Sequence, residues 1–220
     1  MKTLCLFDLD GTLIDPYEAM TKGLQYALAS QGVEITDRRQ FIPYIGPPLR
    51  ETLREFAKFT DEDKIEAMVK AYREHFLQEG IYENPLYPGV SQMLETLKNA
   101  GIPMAIATSK YIESAIKVVE YLKIDHYFET IVGSELDGSR SRKAEVIECV
   151  LDEIDPKRQY LPVMIGDRKY DIIGAKETES VHVKSIGITW GYGSQEELQQ
   201  ENPDMVIDTV ENLVATLLNM

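Results

Sequence analysis

The chain of 220 residues reads as an α/β protein: a parallel-sheet core with a small all-helical domain inserted straight after its first strand. Three observations predict this. The apolar run Leu4-Cys5-Leu6-Phe7 enters Asp8 without polar interruption and continues as Asp10-Gly11-Thr12, as a buried parallel strand does when it delivers carboxylates to its C-terminal end. Residues 17–79 then show helical periods with no strand between them. Beyond residue 89, short apolar runs alternate with amphipathic helical stretches, which calls for βαβ units.

In order, the first strand ends at Asp8, and Gly11 frees the backbone to turn away. Asp8 and Asp10, two apart on a strand, share a face and converge on one site. A hairpin reading of Asp10-Gly11 fails because a helical pattern follows, and an EF-hand reading fails because Leu13 and Ala19 stand where its glycine and bidentate glutamate belong. Met20, Leu24, Ala27, Leu28 and Gln31 then outline one helix face, with Gly32 as its cap. Asp37 with Gln40 opens a short helix, and Leu49, Leu53, Phe56 and Ala57 stripe another. Thr60 with Asp63 opens the longest helix, striped by Ile65, Met68, Val69, Tyr72 and Phe76 and ended by Gly80. The Pro- and Gly-bearing stretch 84–89 closes the insertion, so residues 16–85 form a helical domain and residues 1–15 with 86–220 the core, hinged near Asp15 and Pro85.

In the remainder, Val90, Met93, Leu94 and Leu97 make a helix stopped by Gly101, and residues 104–107 a strand ending at Thr108. Ile112, Ile116, Val119 and Leu122 give the next helix face and residues 130–132 a short strand. Val146, Ile147, Val150, Leu151 and Ile154 form a further helix, and residues 163–165 a strand ending at Gly166-Asp167. Strands over 185–188 and 205–207 and a helix from about Val210 finish the chain.

A net charge of −14 argues against a nucleic-acid or anionic-membrane surface, and leaves a few local cations to meet any anionic substrate. Cys5 in the first strand and Cys149 on a helical stripe read as buried free thiols. The N-terminal apolar run is too short for a signal peptide, and no run approaches twenty apolar residues, which together predict a cytoplasmic protein. Monomer and homodimer stay open.

Three later segments sit where strands hand over to loops. Thr108-Ser109-Lys110 offers a hydroxyl and fresh backbone N–H groups suited to phosphate oxygens, though alone it reads as a helix cap. Lys143 opens a helix against the dipole; alone, its ammonium reads as solvated. Asp167 leaves a buried strand and Asp171 follows four residues on, so with Asp8 they can approach one hard cation. With no His or Cys cluster nearby, that donor set suits Mg²⁺ better than Zn²⁺.

Taken together, DLDGT at residues 8–12, Thr108-Ser109, Lys143 and GDRKYD at 166–171 resemble, in order and nature, the four motifs of the haloacid dehalogenase-like (HAD) phosphohydrolases. The resemblance covers essentially the whole chain. It implies a Rossmann-like core with a helical cap, and a Mg²⁺-dependent phosphatase working through an aspartyl-phosphate. By the same resemblance, Asp8 is the nucleophile and Asp10 the acid/base. Thr108, Ser109 and Lys143 hold the phosphoryl group, and Asp8, Asp10, Asp167 and Asp171 form the candidate metal set, with Asp171 ligating or supporting.

The segments 45–49, 133–138 and 189–193 look like the branch labelled phosphoglycolate phosphatase-like or 5'-nucleotidase-like. A sugar-phosphate mutase on the same motifs is the second reading. Pro16 departs from the serine common in the family and bears on cap motion. Arg50, after Gly46-Pro47-Pro48, is the candidate for substrate choice, with a solvated helix arginine as its plainer reading. His75, His126 and His182 find no matching partners and read as structural or exposed.

Overall fold

The structure, a computed structural model, describes residues 2–47, 49–137 and 139–220. Pro48 of the 46–50 turn and Gly138 of the 133–138 segment lie outside the described residues. Six strands, β1 (Thr3–Phe7), β2 (Met104–Tyr111), β3 (Ile131–Ser134), β4 (Leu161–Gly166), β5 (Lys184–Ile188) and β6 (Met205–Ile207), make one sheet in the order β3-β2-β1-β4-β5-β6, every neighbouring pair parallel. Strand addition reverses at β1, with β2 and β3 on one side and β4 to β6 on the other. In open α/β sheets that reversal opens a crevice at the carboxyl ends of the strands. Asp8 leaves β1 and Asp167 leaves β4 at this crevice.

The helices are α1 (Tyr17–Ala29), α2 (Leu49–Ala57), α3 (Glu62–Gln78), α4 (Val90–Asn99), α5 (Ile112–Tyr121), α6 (Lys143–Ile154), α7 (Lys169–Glu177), α8 (Gln195–Gln200) and α9 (Val210–Leu218). Alternation along the strands divides the core. Cys5, Phe7, Met104, Ile106, Val163 and Ile165 face α4, α5 and α9. Leu4, Leu6, Ala105, Ala107 and Met164 face α6 and α7, where Val146, Ile147, Val150 and Leu151 close the layer. All five residues of β1 are buried, as a doubly covered central strand requires.

Between residues 16 and 83 the described residues hold only helices and 3₁₀ turns. α3 packs along α1 and α2, its buried stripe Ile65, Met68, Val69, Tyr72 and Phe76 being the one the periodicity predicts. The two connections to the core run side by side: Asp15 N–H donates to the Pro85 carbonyl at 2.9 Å, and Tyr87 N–H to Leu13 at 3.0 Å.

Several expectations shift. The cap of α3 is Asp61, accepting from Asp63 N–H at 3.1 Å, rather than Thr60. The 38–44 helix is a 3₁₀ turn containing Pro43, opened by Asp37. β2 runs on through Thr108, Ser109 and Lys110 to Tyr111, so those residues end a strand without starting a helix. α5 consequently turns Ala115, Val118 and Val119 inward, and leaves Ile116 exposed. α7 and α8 carry weak apolar periods and were not legible as helices. Cys5 is buried as expected, whereas Cys149 is half-buried, and both are free thiols.

Candidate active site

Four strand ends build the site. β1 delivers Asp8, whose N–H still donates to the Ile165 carbonyl at 2.9 Å, so the residue is held in ladder register while its side chain reaches past the sheet. Gly11 then adopts φ +79°, a left-handed turn that glycine takes without strain, and a Cβ there would strike the Asp167 carboxylate. Where β2 meets β3, Ala107 pairs with Val132 but Tyr111 with Ser134, so β2 spends four residues against two and bulges at Thr108–Lys110. The bulge brings Lys110 to Asp10: its ammonium lies 2.9 Å from both carboxylate oxygens. Phe76 of α3 lies under the same ammonium, 4.3 Å from ring centroid to Nζ.

Lys143 at the start of α6 is 6% exposed, which overturns the solvated reading. Its Nζ sits 3.0 Å from Asp8 Oδ1, 2.8 Å from Asp171 Oδ1 and 3.0 Å from the Ala107 carbonyl, to which it donates. Burial penalises the ammonium, but the carboxylates of Asp171 and Asp8 outweigh it and raise the pKa above the ordinary lysine value. Asp171 caps α7 by accepting from Arg168 N–H at 3.1 Å. Gly166 allows this, because a Cβ there would overlap the Asp171 carboxylate.

Carboxylate oxygens of Asp8, Asp167 and Asp171 all lie within 4.8 Å of one another, each residue buried. Burial pushes Asp167 up to about 8, with Asp171 and Asp8 adding repulsion. It lifts Asp171 to about 6 against the pull of Lys143. Asp167 accepts from Tyr192 N–H at 2.8 Å and from the Thr12 hydroxyl at 3.4 Å. Asp8 Oδ1 and Asp171 Oδ1 are buried without a hydrogen bond of good geometry. Three hard oxygen donors, two of them with only the Lys143 ammonium facing them, fit a hard divalent cation such as Mg²⁺ and no thiophilic one. The Asp10 side chain lies outside this cluster, turned to Lys110, so the structure brings together three of the four carboxylates of the sequence-based set. Burial also raises the Asp10 pKa, against the opposing pull of Lys110.

Asp8 and Asp10 open into a cleft of about 120 Å³ between the core and the helical insertion, with Thr108, Ser109 and Lys110 on the core side and Leu49, Arg50, Tyr72 and Arg73 opposite. Arg50 pairs with Glu66 and reaches the Leu136 carbonyl at 3.4 Å, so it is neither plainly solvated nor free.

Reading the sequence missed Lys110, Arg73, Arg168 and Tyr192. Lys110 had a signal in standing next to Thr108-Ser109, but only the bulge turns it inward. Arg168 crosses to the insertion, donating to the Ile45 carbonyl and, through Nε, to Glu197 at 2.9 Å. The Tyr192 hydroxyl donates to Asp15 beside the hinge. His75 lies against Tyr26 at 4.9 Å and His126 against Tyr127 at 4.1 Å, away from the cleft lining.

A parallel sheet whose switch point gathers a carboxylate nucleophile candidate, a buried ammonium and three carboxylates able to hold a cation is the arrangement of a phosphohydrolase built on an α/β sheet. The family model for haloacid dehalogenase-like hydrolases matches residues 5–187, and the chain belongs to that family. A Pseudomonas aeruginosa protein named 5'-nucleotidase is 39% identical over 90% of this chain and 87% of its own length. Tyrosine-protein kinase PtkA of Mycobacterium tuberculosis is 34% identical over 92% of this chain and 67% of its own. A crystal structure described as a predicted phosphatase from Clostridium acetobutylicum superposes with a TM-score of 0.91 at 34% identity, covering all of both chains. No helix among the described residues is long and apolar enough to cross a membrane.

Proposed function

We propose that the protein is a Mg²⁺-dependent phosphomonoesterase that works through an aspartyl-phosphate on Asp8, with a small phosphorylated metabolite as substrate. Phosphoglycolate and a nucleoside 5'-monophosphate are the first candidates, supported by the sequence resemblance and by the relative named 5'-nucleotidase. The observation that carries the reading is the convergence of Asp8, Lys143, Asp167 and Asp171 at one strand-end crevice. In this reading residues 16–85 act as the cap and residues 1–15 with 86–220 as the core.

Asp8 attacks phosphorus, and its Oδ–P bond forms as the bond to the leaving oxygen breaks. Asp10 gives a proton to the leaving oxygen; burial favours its protonated form against the opposing pull of Lys110, which fixes its orientation. Water then attacks phosphorus while Asp10 takes its proton back, and the Asp8–phosphate bond breaks to release inorganic phosphate. Lys143 with the Thr108 hydroxyl and the Ser109 region carries the charge on the equatorial oxygens. Asp8, Asp167 and Asp171 would hold Mg²⁺, which supplies further neutralisation of the phosphoryl charge when bound.

Because one relative is named as a kinase, phosphate release is measured directly. With Mg²⁺ and p-nitrophenyl phosphate, the wild type should turn over and form an acid-trappable phosphoenzyme. Asp8→Asn should lose both, by about 10³-fold or more in kcat, and EDTA should abolish turnover of the wild type. Incorporation of phosphate into Asp8→Asn would overturn the assignment.

A further inference from the structure

Arg73 stands on α3 in the wall of the cleft that opens from Asp8 and Asp10, half-buried, its guanidinium carbon 4.9 Å from the centroid of the Tyr111 ring. Arg50, Arg54 and Lys70 on the same two helices each find a carboxylate: Glu66, Glu62 and Glu74. Arg73 finds none among the described residues, and its buried Nε donates to nothing. Acid is not scarce in a chain with 37 acidic and 23 basic residues. The charged group that bears on Arg73 is instead Arg50, a second guanidinium lining the same cleft.

Arg50 already has Glu66, so among the described residues the charge in this wall that lacks a counter-ion is that of Arg73, and holding it partly dehydrated costs free energy that an arriving anion offsets. The other cations on this route are already engaged, Lys110 by Asp10 and Lys143 by Asp8 and Asp171. Arg73 is therefore the cation left over after the phosphoryl site is complete. Met20, Val69, Tyr72 and Phe76 line the cap side of the same cleft with apolar and aromatic surface, so on that side the guanidinium groups are the charged groups a leaving group meets.

We propose that Arg73, with Arg50 beside it, binds a second anionic group of the substrate, so that the enzyme selects small phosphate compounds whose leaving group carries a carboxylate or a further phosphate. The inference rests on the phosphomonoesterase reading and narrows it toward phosphoglycolate-like or pyrophosphate-like substrates and away from nucleoside monophosphates. Planar guanidinium forks suit either oxyanion bidentately, and the ring of Tyr111 holds the Arg73 plane in place for it.

The test compares wild type, Arg73→Ala and Arg73→Lys with Mg²⁺ on phosphoglycolate, pyrophosphate, adenosine 5'-monophosphate and p-nitrophenyl phosphate. Arg73→Ala should lower kcat/KM at least ten-fold on whichever of the first two the wild type prefers, chiefly by raising KM. It should change p-nitrophenyl phosphate turnover less than two-fold, and Arg73→Lys should recover part of the loss. Pyrophosphate inhibition of p-nitrophenyl phosphate turnover gives a second readout: its Ki should rise about ten-fold in Arg73→Ala while that of inorganic phosphate holds. Arg73→Gln, which keeps the stem, stands in if the alanine variant does not fold. Equal losses on all substrates, no loss on any, or a wild-type preference for adenosine 5'-monophosphate would overturn the proposal and leave the phosphatase reading intact. A wild type inert toward all four would instead overturn the phosphatase reading, and this proposal with it.

Discussion

The core wall of the cleft pairs its charges internally, Lys143 lying 3.0 Å from Asp8 and 2.8 Å from Asp171, and Lys110 2.9 Å from Asp10. The cap wall does not: Arg50 leans on Glu66 at its edge, and Arg73 faces a ring and another arginine. Burial explains the contrast. A charge at a strand end inside the sheet must be matched within the fold, because unpaired burial there costs several kcal/mol. A half-exposed charge on a helix can wait for its counter-ion to arrive with a ligand. In the proposed function, the chemistry that every substrate shares is prebuilt in the core, and the part that differs between substrates falls to the wall left open.

The largest test of that contrast removes the ammonium at its centre. Lys143→Met keeps the stem but leaves Asp8 and Asp171 facing each other without their cation. The variant should lose about 3–5 kcal/mol of stability in metal-free chemical denaturation, and phosphatase turnover by about 10³-fold or more. Arg73→Ala on the cap wall should cost within about 0.5 kcal/mol. Similar midpoints for the two variants would erase the distinction between the walls.

A smaller and reversible test uses pH. Asp167, pushed up to about 8, and Asp171, at about 6, both hold protons in the fold at pH values where the unfolded chain has lost them. Stability from these groups is therefore fully present below about pH 4, the unfolded carboxylate range, and is lost as pH rises through the folded values. Between pH 6 and pH 8 the metal-free protein should lose roughly 3 kcal/mol at this site. Mg²⁺ competes with those protons, so it should raise the melting temperature more at pH 8 than at pH 5. An equal shift at both pH values would remove these carboxylates from the cation site.

How far the sequence discloses this contrast depends on how each residue is placed. Asp8, Asp167 and the three-helix insertion are legible because strand ends and stripes such as Ile65-Met68-Val69-Tyr72-Phe76 are local patterns. The burial of Lys143 is not local: it depends on α6 packing against α7, where a Cβ on Gly174 would meet the lysine stem at 2.5 Å. Lys110 is hidden by the bulge, since strand alternation alone does not say where two extra residues will be spent. Alternation brings Asp10 to the site beside Asp8 and the family resemblance adds it to the metal set, yet the lysine that the bulge supplies claims its side chain. On the cap wall the sequence singles out Arg50 by the rigid turn before it. Arg73, in mid-helix among charged residues, carries no such mark.

The smallest effect is expected where the two walls meet. Arg168 leaves the end of β4, is only 8% exposed, and spans to the insertion: it donates to the Ile45 carbonyl and through Nε to Glu197 at 2.9 Å. Gly46 lies against its stem with φ +109°, and a Cβ there would stand 2.9 Å from Arg168 Cγ, so the strut and the turn are fitted to each other. Glu197 keeps a second donor, Lys169 N–H at 3.0 Å, so removing the guanidinium leaves that carboxylate partly satisfied and frees chiefly the Ile45 carbonyl. Arg168→Ala should then cost about 1–2 kcal/mol, less than breaking the Lys143 pairs, and the loss should be local. Hydrogen exchange should quicken at residues 45–47 and along α2, while amides of β1 and β4 keep their protection. Arg168→Lys should fall between, because a single ammonium can hold Glu197 or reach the carbonyl but lacks the fork that does both. Uniform quickening across core and cap would mean that Arg168 supports the whole fold, and unchanged exchange at 45–47 would mean that the insertion is held against the core by contacts other than Arg168.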